Sequence, residues 1–329
     1  MGRRFLSLVL AACLLAASLP VLGISPAVAA STGWSVPASA PAAFTVGVDG
    51  TTASAGRFGN PYAVSTAQQL ADLAYFVNSG YSAYSTSYFR LTADIVLNGS
   101  VLKPDGSLDA GSSPTAWTPI GVRGSQNYGY FSGYFDGNGH SVRGVYIDGG
   151  SDDQGLFGYV KDGTITNLTL EDSYIRGDEN VGGIVGSTEN QKYSLTTVRN
   201  CTSAATVVGA RQVGGIVGSD AGNYDVVDQC TFLGLAEGVS TGENIGGIVG
   251  SASGTSVTSC AGAGLVRGNR SVGGIVGYST RSTILHDTHT GTAVGVSGAA
   301  TCPASPACRT PTRRTTVRAS AGSSALTVG

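Results

Sequence analysis

The residues able to do chemistry are few and scattered. The three histidines are His140, His286 and His289. A zinc peptidase would place His-Glu-x-x-His on one helix face, and no stretch matches. His286-Asp287-Thr288-His289 has metal-binding residue types, but it falls close to the repeat position of a cysteine series, and no metal is expected there. No Gly-x-Ser-x-Gly elbow comes with partners for a nucleophilic triad. Polysaccharide cleavage would use paired carboxylates, or a Ca²⁺-bound acid with a Lys or Arg base. The candidate acids are Asp136, Asp152, Asp153, Glu171, Asp172, Asp178 and Glu179. Asp136 lies in Asp-Gly-Asn-Gly, a turn by its own chemistry. Asp152-Asp153, Asp178-Glu179 and Glu243 recur at the start of a repeated heptapeptide, where solvated corners account for them. The lysines are Lys103, Lys161 and Lys192, and none adjoins the paired acids. Catalytic residues and cofactors are therefore not expected. Acids and an arginine gathered on one lateral sheet would be the sign of an enzyme.

The elements that position these residues come from self-similarity. Val181 to Ser187 reads VGGIVGS, and Val213 to Ser219 repeats it. Ile245 to Ser251 reads IGGIVGS, Val272 to Tyr278 reads VGGIVGY, and Asp153 to Tyr159, DQGLFGY, is a degenerate first copy. The intervals are 28, 32, 32 and 27 residues. After each heptapeptide come a polar turn, a stretch such as Thr196-Thr197-Val198-Arg199-Asn200-Cys201, and a third segment ending in or near Val-Gly. Alternation at Thr164-Ile165-Thr166-Asn167-Leu168-Thr169-Leu170 has the period of a half-buried strand, and helical spacing is absent. Three short strands per unit, joined at glycine-rich corners, predict one coil of a β-solenoid, stable only when neighbouring coils stack. The structural glycines are Gly155 and Gly158, then Gly182, Gly183 and Gly186, Gly214, Gly215 and Gly218, Gly246, Gly247 and Gly250, and Gly273, Gly274 and Gly277. They are expected to allow φ > 0 or close backbone approach at a corner. A phosphate-cradling loop would need a following Lys-Ser/Thr, which is missing.

Six cysteines are spread along the chain. Cys201, Cys230 and Cys260 fall 29 and 30 residues apart, so they should stack at one place in the cross-section. Buried free thiols are the preferred reading. A bridge between neighbouring coils remains open, because strands about 4.8 Å apart bring equivalent Cα atoms within disulfide range. Zinc would need paired Cys or His ligands beside them.

The ends differ from the middle. Residues 1–30 read as a secretory signal, with Arg3 and Arg4, an apolar run from Leu6 to Leu22, and Ala27-Val28-Ala29-Ala30 as the cleavage site. Residues 31–59 form a low-complexity leader or edge segment. In 60–150 a helix begins after Ser65 or Thr66, with Leu70, Leu73, Ala74 and Val77 on one face, and ends at Asn78-Ser79-Gly80. It is read as a cap on the first coil. The aromatic stretch Trp117, Tyr130, Phe131, Tyr134 and Phe135 is assigned to core filling ahead of a ligand platform. Residues 151–297 hold the repeat coils. The tail 298–329 carries Cys302, Cys308 and several arginines and prolines without a repeat. Reading its codons two bases later permits a coil-like string, so a frameshift near 292–301 is preferred over a disordered or wall-associated tail.

The chain resembles proteins carrying GLUG motifs. The resemblance rests on the Gly-Gly-Ile-Val-Gly cores, Gly155-Leu156-Phe157-Gly158, Trp117-Thr118-Pro119-Ile120-Gly121, Phe135-Asp136-Gly137-Asn138-Gly139-His140, and Leu91-Thr92-Ala93-Asp94-Ile95. It implies a right-handed parallel β-helix on secreted or surface bacterial proteins, including adhesin-like chains and the non-catalytic part of some immunoglobulin A peptidases. It supplies no catalytic residues.

Composition bounds the function. Charged residues make up 12% of the chain, against about a quarter in an average protein. Net charge is −2, with no basic tract in the repeats, which excludes a nucleic-acid partner. No stretch in the mature chain approaches the about eighteen apolar residues of a membrane span. The expectation is an all-β secreted or cell-surface solenoid that binds an extracellular glycan or protein. Tyr81 to Tyr88 and Asn127 to Tyr130 are its candidate patches. A β-helix polysaccharide lyase or glycosidase, and a passive spacer, are the alternatives.

Overall fold

The computed structural model describes residues 33–124, 129–190, 194–222 and 224–295. The signal-like segment, the tail from 298, Lys192, Asn127, Tyr128, Cys302 and Cys308 lie outside these residues.

The chain winds as a β-solenoid in which strands of successive coils pair in parallel. One turn runs through Thr197–Arg199, Thr202–Ser203, Thr206–Gly214 and Val217–Asp220. Each turn thus crosses four sheets where the sequence suggested three strands, and in some turns the third-face strand is split in two. The first face is an eight-stranded sheet from Tyr62–Val64 to Thr283–Leu285. The second face has seven strands and the fourth has five. The third is built around long strands such as Thr206–Gly214 and Leu235–Gly246, which bend midway. The heptapeptide straddles the corner between the third and fourth faces, and this is why it did not read as a strand of its own.

Two corners are turned at non-glycine residues in the left-handed conformation, among them Asp153, which the sequence already placed at a corner. Between the first and second faces a single residue takes the left-handed conformation: Asn167 (φ 56°), Asn200 (51°), Gln229 (55°), Ser259 (55°) and His286 (60°). A second left-handed column, Asp153, Asn180, Gln212, Asn244 and Ser271, immediately precedes or opens each heptapeptide. Asn and Asp tolerate this region better than other non-glycine residues. Stacking supplies an additional reason, because the side chains bond along the axis: Asn200 Nδ2 donates to Asn167 Oδ1 at 2.8 Å, and Asn180 Nδ2 to Asp153 Oδ1 at 2.8 Å.

The heptapeptide glycines serve close approach, and none of them lies in the left-handed region. Each has its own neighbour. A Cβ on Gly182, Gly214, Gly246 or Gly273 would fall 1.9–2.0 Å from the carbonyl oxygen three residues on. A Cβ on Gly183, Gly215 or Gly247 would fall 2.1–2.3 Å from the carbonyl oxygen of the equivalent glycine in the next coil. On Gly186, Gly218, Gly250 or Gly277 it would crowd the preceding coil's glycine carbonyl, at 2.5–2.7 Å. Between them Ile184, Ile216 and Ile248 are fully buried. Each such side chain contributes about 1.5–3 kcal/mol of apolar burial.

Inside the first face, Phe89, Phe135, Ile165, Val198, Val227 and Val257 stand in register. The column starts aromatic and narrows to valine, so the early coils are the wide ones. Phe131 and Trp117 are also buried, as core filling requires. The helix Ala67–Asn78 lies within the first coil, with Leu70, Leu73, Ala74 and Val77 buried. Thr66 caps it by accepting from the Gln69 amide, and Ser65 N donates to Gln69 Oε1, so both exposed ends of the turn are satisfied. The preceding segment is docked: Phe44 packs on Tyr62, Tyr84 and Phe89, and the Trp34 indole N–H bonds Leu97 O.

Candidate functional site

The pleat of the first face sends alternate side chains outward, and equivalent positions stack about 4.8 Å apart along the axis. One outward column reads Tyr88, Tyr134, Thr164, Thr197, Val226, Ser256 and Thr283. Tyr88 and Tyr134 stack at 5.5 Å with an interplanar angle of 22°. Phe58 meets Tyr88 edge-on at 5.9 Å and is 78% exposed. Three aromatic rings therefore line the rim of the first face and hand over to hydroxyl groups. Beside them runs a second column in which charge is spent on neighbours. Arg90 pairs with Asp136 at 2.9 Å, Arg199 with Asp228 at 3.1 Å, and Thr258 donates to Asp228 at 2.7 Å. A shorter pair, Tyr146 on Tyr174 at 6.5 Å, stands on the third face above Asp148–Arg176.

Charges elsewhere follow the same axial rule. On the third face Glu179, Arg211, Glu243 and Arg270 stack in register with alternating sign. Glu179 pairs with Arg211, and Glu243 with Arg270 at 2.9 Å. Arg143–Asp172 and Glu237–Arg267 add two more pairs, each at 2.8 Å. A parallel stack puts identical positions side by side, so like charges at one offset would repel. The signal was present in the sequence, since these four residues sit two positions before each heptapeptide valine or isoleucine. Their significance is axial pairing in addition to solvation.

The fourth face does gather acids and an arginine. Arg123 reaches Asp153 at 2.8 Å, Ser187 at 2.9 Å and Glu189 at 3.7 Å, and its guanidinium lies 4.4 Å from the Tyr159 ring centroid. The Tyr159 hydroxyl bonds Glu189, and Lys161 stands 3.9 Å from that carboxylate and 5.5 Å from the Tyr130 ring. Tyr159 is only 5% exposed, and burial first, then the Glu189 bond, pushes its phenol up. Each charge has an opposite partner, and the cluster clamps the segment around Arg123 and Tyr130 onto the sheet. Of the remaining candidate acids, Asp172 accepts from the amides of Val101 and Leu102, and Asp136 from Asn138 N and Asn167 Nδ2. Asp152 and Asp178 are exposed at a corner. Asp152 accepts from the Glu179 amide at 3.2 Å.

Cys201, Cys230 and Cys260 are buried free thiols in one stack, with Cys230 N donating to Cys260 Sγ at 3.4 Å. Hydrogen bonding among the thiols and burial push Cys230 and Cys260 up. Asp287 takes the next place in that column and accepts from Cys260 N at 2.6 Å, while burial raises its carboxyl to about 6. His289 lies under Gly262 and Gly274, and burial lowers its pKa. Among the described residues no group of three or more His, Cys, Asp or Glu is placed to hold a metal ion. Tyr81 is exposed, as expected of a surface patch, whereas Tyr84 packs on Phe76 at 4.3 Å and Tyr130 on Tyr159 at 6.3 Å. An apolar cavity of about 160 Å³ beside Trp34, Ala71, Tyr75 and Trp117 has its indole N–H groups spent on Leu97 and Leu156 carbonyls.

Comparison with known proteins agrees with the architecture. The GLUG motif matches residues 177–208, the coil that contains the first complete heptapeptide. Halomucin of Haloquadratum walsbyi is 34% identical over 168 residues, which is 49% of this chain and 2% of halomucin. A provisionally named Gly-rich membrane protein of Evansella cellulosilytica is 30% identical over 138 residues, 41% of this chain and 14% of that protein. The chain thus spans a small part of both relatives. A Bacteroides ovatus protein, provisionally named an immunoglobulin A1 protease, has a similar crystal structure with a TM-score of 0.54. It is 21% identical, and the match covers 75% of each chain, so the likeness concerns the fold. Among the described residues no helix is long and apolar enough to cross a membrane.

Proposed function

We propose that this chain is an exported binding module whose first face grips an extended, uncharged extracellular glycan. The observation that carries the reading is the axial column of Phe58, Tyr88 and Tyr134 followed by Thr164 and Thr197. Aromatic faces supply apolar contact area to sugar rings at little entropic cost, and hydroxyls in register offer a repeating polar contact. The charged column beside it is internally paired, so the face offers no surplus charge for a polyanion. The naming of one relative as a membrane protein supports a place at the cell boundary. A catalytic role has less support, because the acids and bases on the fourth face neutralise one another and Tyr159 is covered.

Binding is tested on an array of neutral and acidic glycans, followed by affinity measurement with Tyr88→Ala and Tyr134→Ala. Loss of one stacking ring is worth on the order of 1 kcal/mol, so each variant should weaken binding about fivefold and the pair by more than tenfold. Both side chains are half-buried on the surface, so unfolding temperature serves as the control. Retention of no glycan would leave a passive spacer as the better account, and equal affinity in the double variant would place the binding site away from this column.

A further inference from the structure

The solenoid interior contains two acids that neither the repeat nor the binding face explains. Asp220 occupies the inward column of the fourth face, in register with Thr188 on one side and Ala252 on the other. Asp225 follows at the corner leading to the first face. They are 2% and 1% exposed. Asp225 accepts three bonds and keeps room on Oδ2: Thr196 N donates to Oδ1 at 2.7 Å, Asn190 Nδ2 to Oδ1 at 2.9 Å, and Thr188 Oγ1 to Oδ2 at 3.0 Å. Asp220 is less well served. Its Oδ1 accepts from Gly222 N at 3.1 Å, while Oδ2 is buried without a donor. The buried Thr255 hydroxyl lies beside Asp220 and opposes the rise in its pKa, but it makes no hydrogen bond of good geometry.

An ionised carboxylate with one bare oxygen inside an apolar stack is strongly disfavoured, and a second negative carboxylate beside it makes matters worse. A protonated carboxyl removes both problems, because its O–H becomes a donor while the neighbour stays an acceptor. We propose that Asp220 and Asp225 hold one proton between them at neutral pH, Asp220 Oδ2–H donating to Asp225, and that this proton fastens three successive coils from within. The coils concerned are those of Thr188–Thr196, Val217–Asp225 and Thr255. Burial first, then the charge of Asp225, pushes Asp220 well above the carboxylate range, and burial also raises Asp225. The groups packed around the pair are neutral: Thr188, Asn190, Thr196, Gly222 and Thr255. Glu189, next to Thr188, turns its carboxylate out to Tyr159, Arg123 and Lys161, and at Asp162 it is the backbone amide that reaches Thr196 Oγ1. A hard cation fits less well. Three N–H donors and a hydroxyl already occupy the carboxylate oxygens, leaving too few for the six to eight that Ca²⁺ takes.

The sign of the effect follows from linkage. A carboxyl whose folded pKa is raised stabilises the fold below its unfolded value and loses that contribution as pH rises through the folded value. The unfolding midpoint of the full chain in urea should therefore fall as pH is raised from about 6 to about 10, a range above the unfolded carboxyl value. Asp220→Asn keeps the shape and a donor facing Asp225, so its midpoint should change less over that range and exceed wild type at the alkaline end. Infrared spectra of the folded wild type should contain a protonated-carboxyl C=O band at neutral pH, and this measurement stands even if the variant fails to fold. Parallel pH curves for the two proteins, or no such band, would overturn the proposal. So would stabilisation of wild type, but not of Asp220→Asn, by added Ca²⁺, which would make the pair a cation site.

Discussion

Gly215→Ala is the sharpest test of what the repeated glycines do. The new Cβ would lie 2.2 Å from the Gly247 carbonyl oxygen and 2.2 Å from Phe232 Cδ2. Phe232 is fully buried and Gly247 O is backbone, so neither can swing aside. Reaching an ordinary contact requires parting the two coils locally by roughly 1 Å, against a strand spacing of about 4.8 Å. The Gly215 N to Gly246 O hydrogen bond, already 3.2 Å, would break. One lost bond costs about 0.5–1.5 kcal/mol and overpacking about 1–3, giving about 2–4 kcal/mol. Gly150→Ala is the control, since its Cβ would meet nothing within 4 Å. Exposed substitutions of that kind stay within about 0.5 kcal/mol. Urea unfolding read by circular dichroism gives the comparison. Hydrogen exchange at Gly247 and Ile248 localises the damage if the array unfolds in stages. A Gly215→Ala protein within about 0.5 kcal/mol of wild type would refute the close-approach argument.

Two further expectations concern the axial columns. Arg211→Glu makes the column run through three successive acids from Glu179 to Glu243; with exposed pairs worth about 0.2–1 kcal/mol each, it should destabilise by about 1–2 kcal/mol in low salt, and less at 1 M salt, by denaturant titration at both ionic strengths. Cys201, Cys230 and Cys260, buried and with Cys230 and Cys260 raised, should resist a thiol-labelling reagent in the folded chain and react once urea unfolds it; rapid native labelling of any of them, resolved by peptide mass, contradicts the stack.

Much of this fold was legible because a solenoid converts sequence offset into spatial stacking. The VGGIVG spacing and the Thr66-capped helix are the clearest cases, and the cysteine interval places three thiols in one column. The number of strands per coil was less legible. The long third-face strand breaks register between Gly209 and Arg211, and it carries a left-handed Gln212, a residue type with no strong turn signal of its own. Where an axial bond supports this conformation, as from Asn180 to Asp153, the support comes from the neighbouring coil and is a tertiary effect. The aromatic stretch was a mixed case, since Phe131 and Phe135 point in while Tyr134, between them, points out. Alternation allowed that reading, but choosing the outward set needed the register of Tyr88 on Tyr134. The Asp220–Asp225 pair was not visible at all, because Asp220 sits where the repeat elsewhere has Thr188 and Ala252.

The glycine columns and the first face are mechanically linked. A carbonyl oxygen pressed against each Gly183, Gly215 and Gly247 fixes the height of these coils at one corner, and the Asn200–Asn167 bond ties two coils at another. With coil heights equal, an outward residue on the first face keeps its spacing from its neighbours, so Tyr88, Tyr134, Thr164 and Thr197 form a straight ladder. Charges cannot remain free on such a ladder, because every one has a neighbour at strand spacing and is either repelled or paired by it. The groups left over to meet a partner are rings and hydroxyls. The repetitive, uncharged ligand proposed for this face would rest on that regularity, and hence on the same close packing that leaves Gly215 no room for a methyl group.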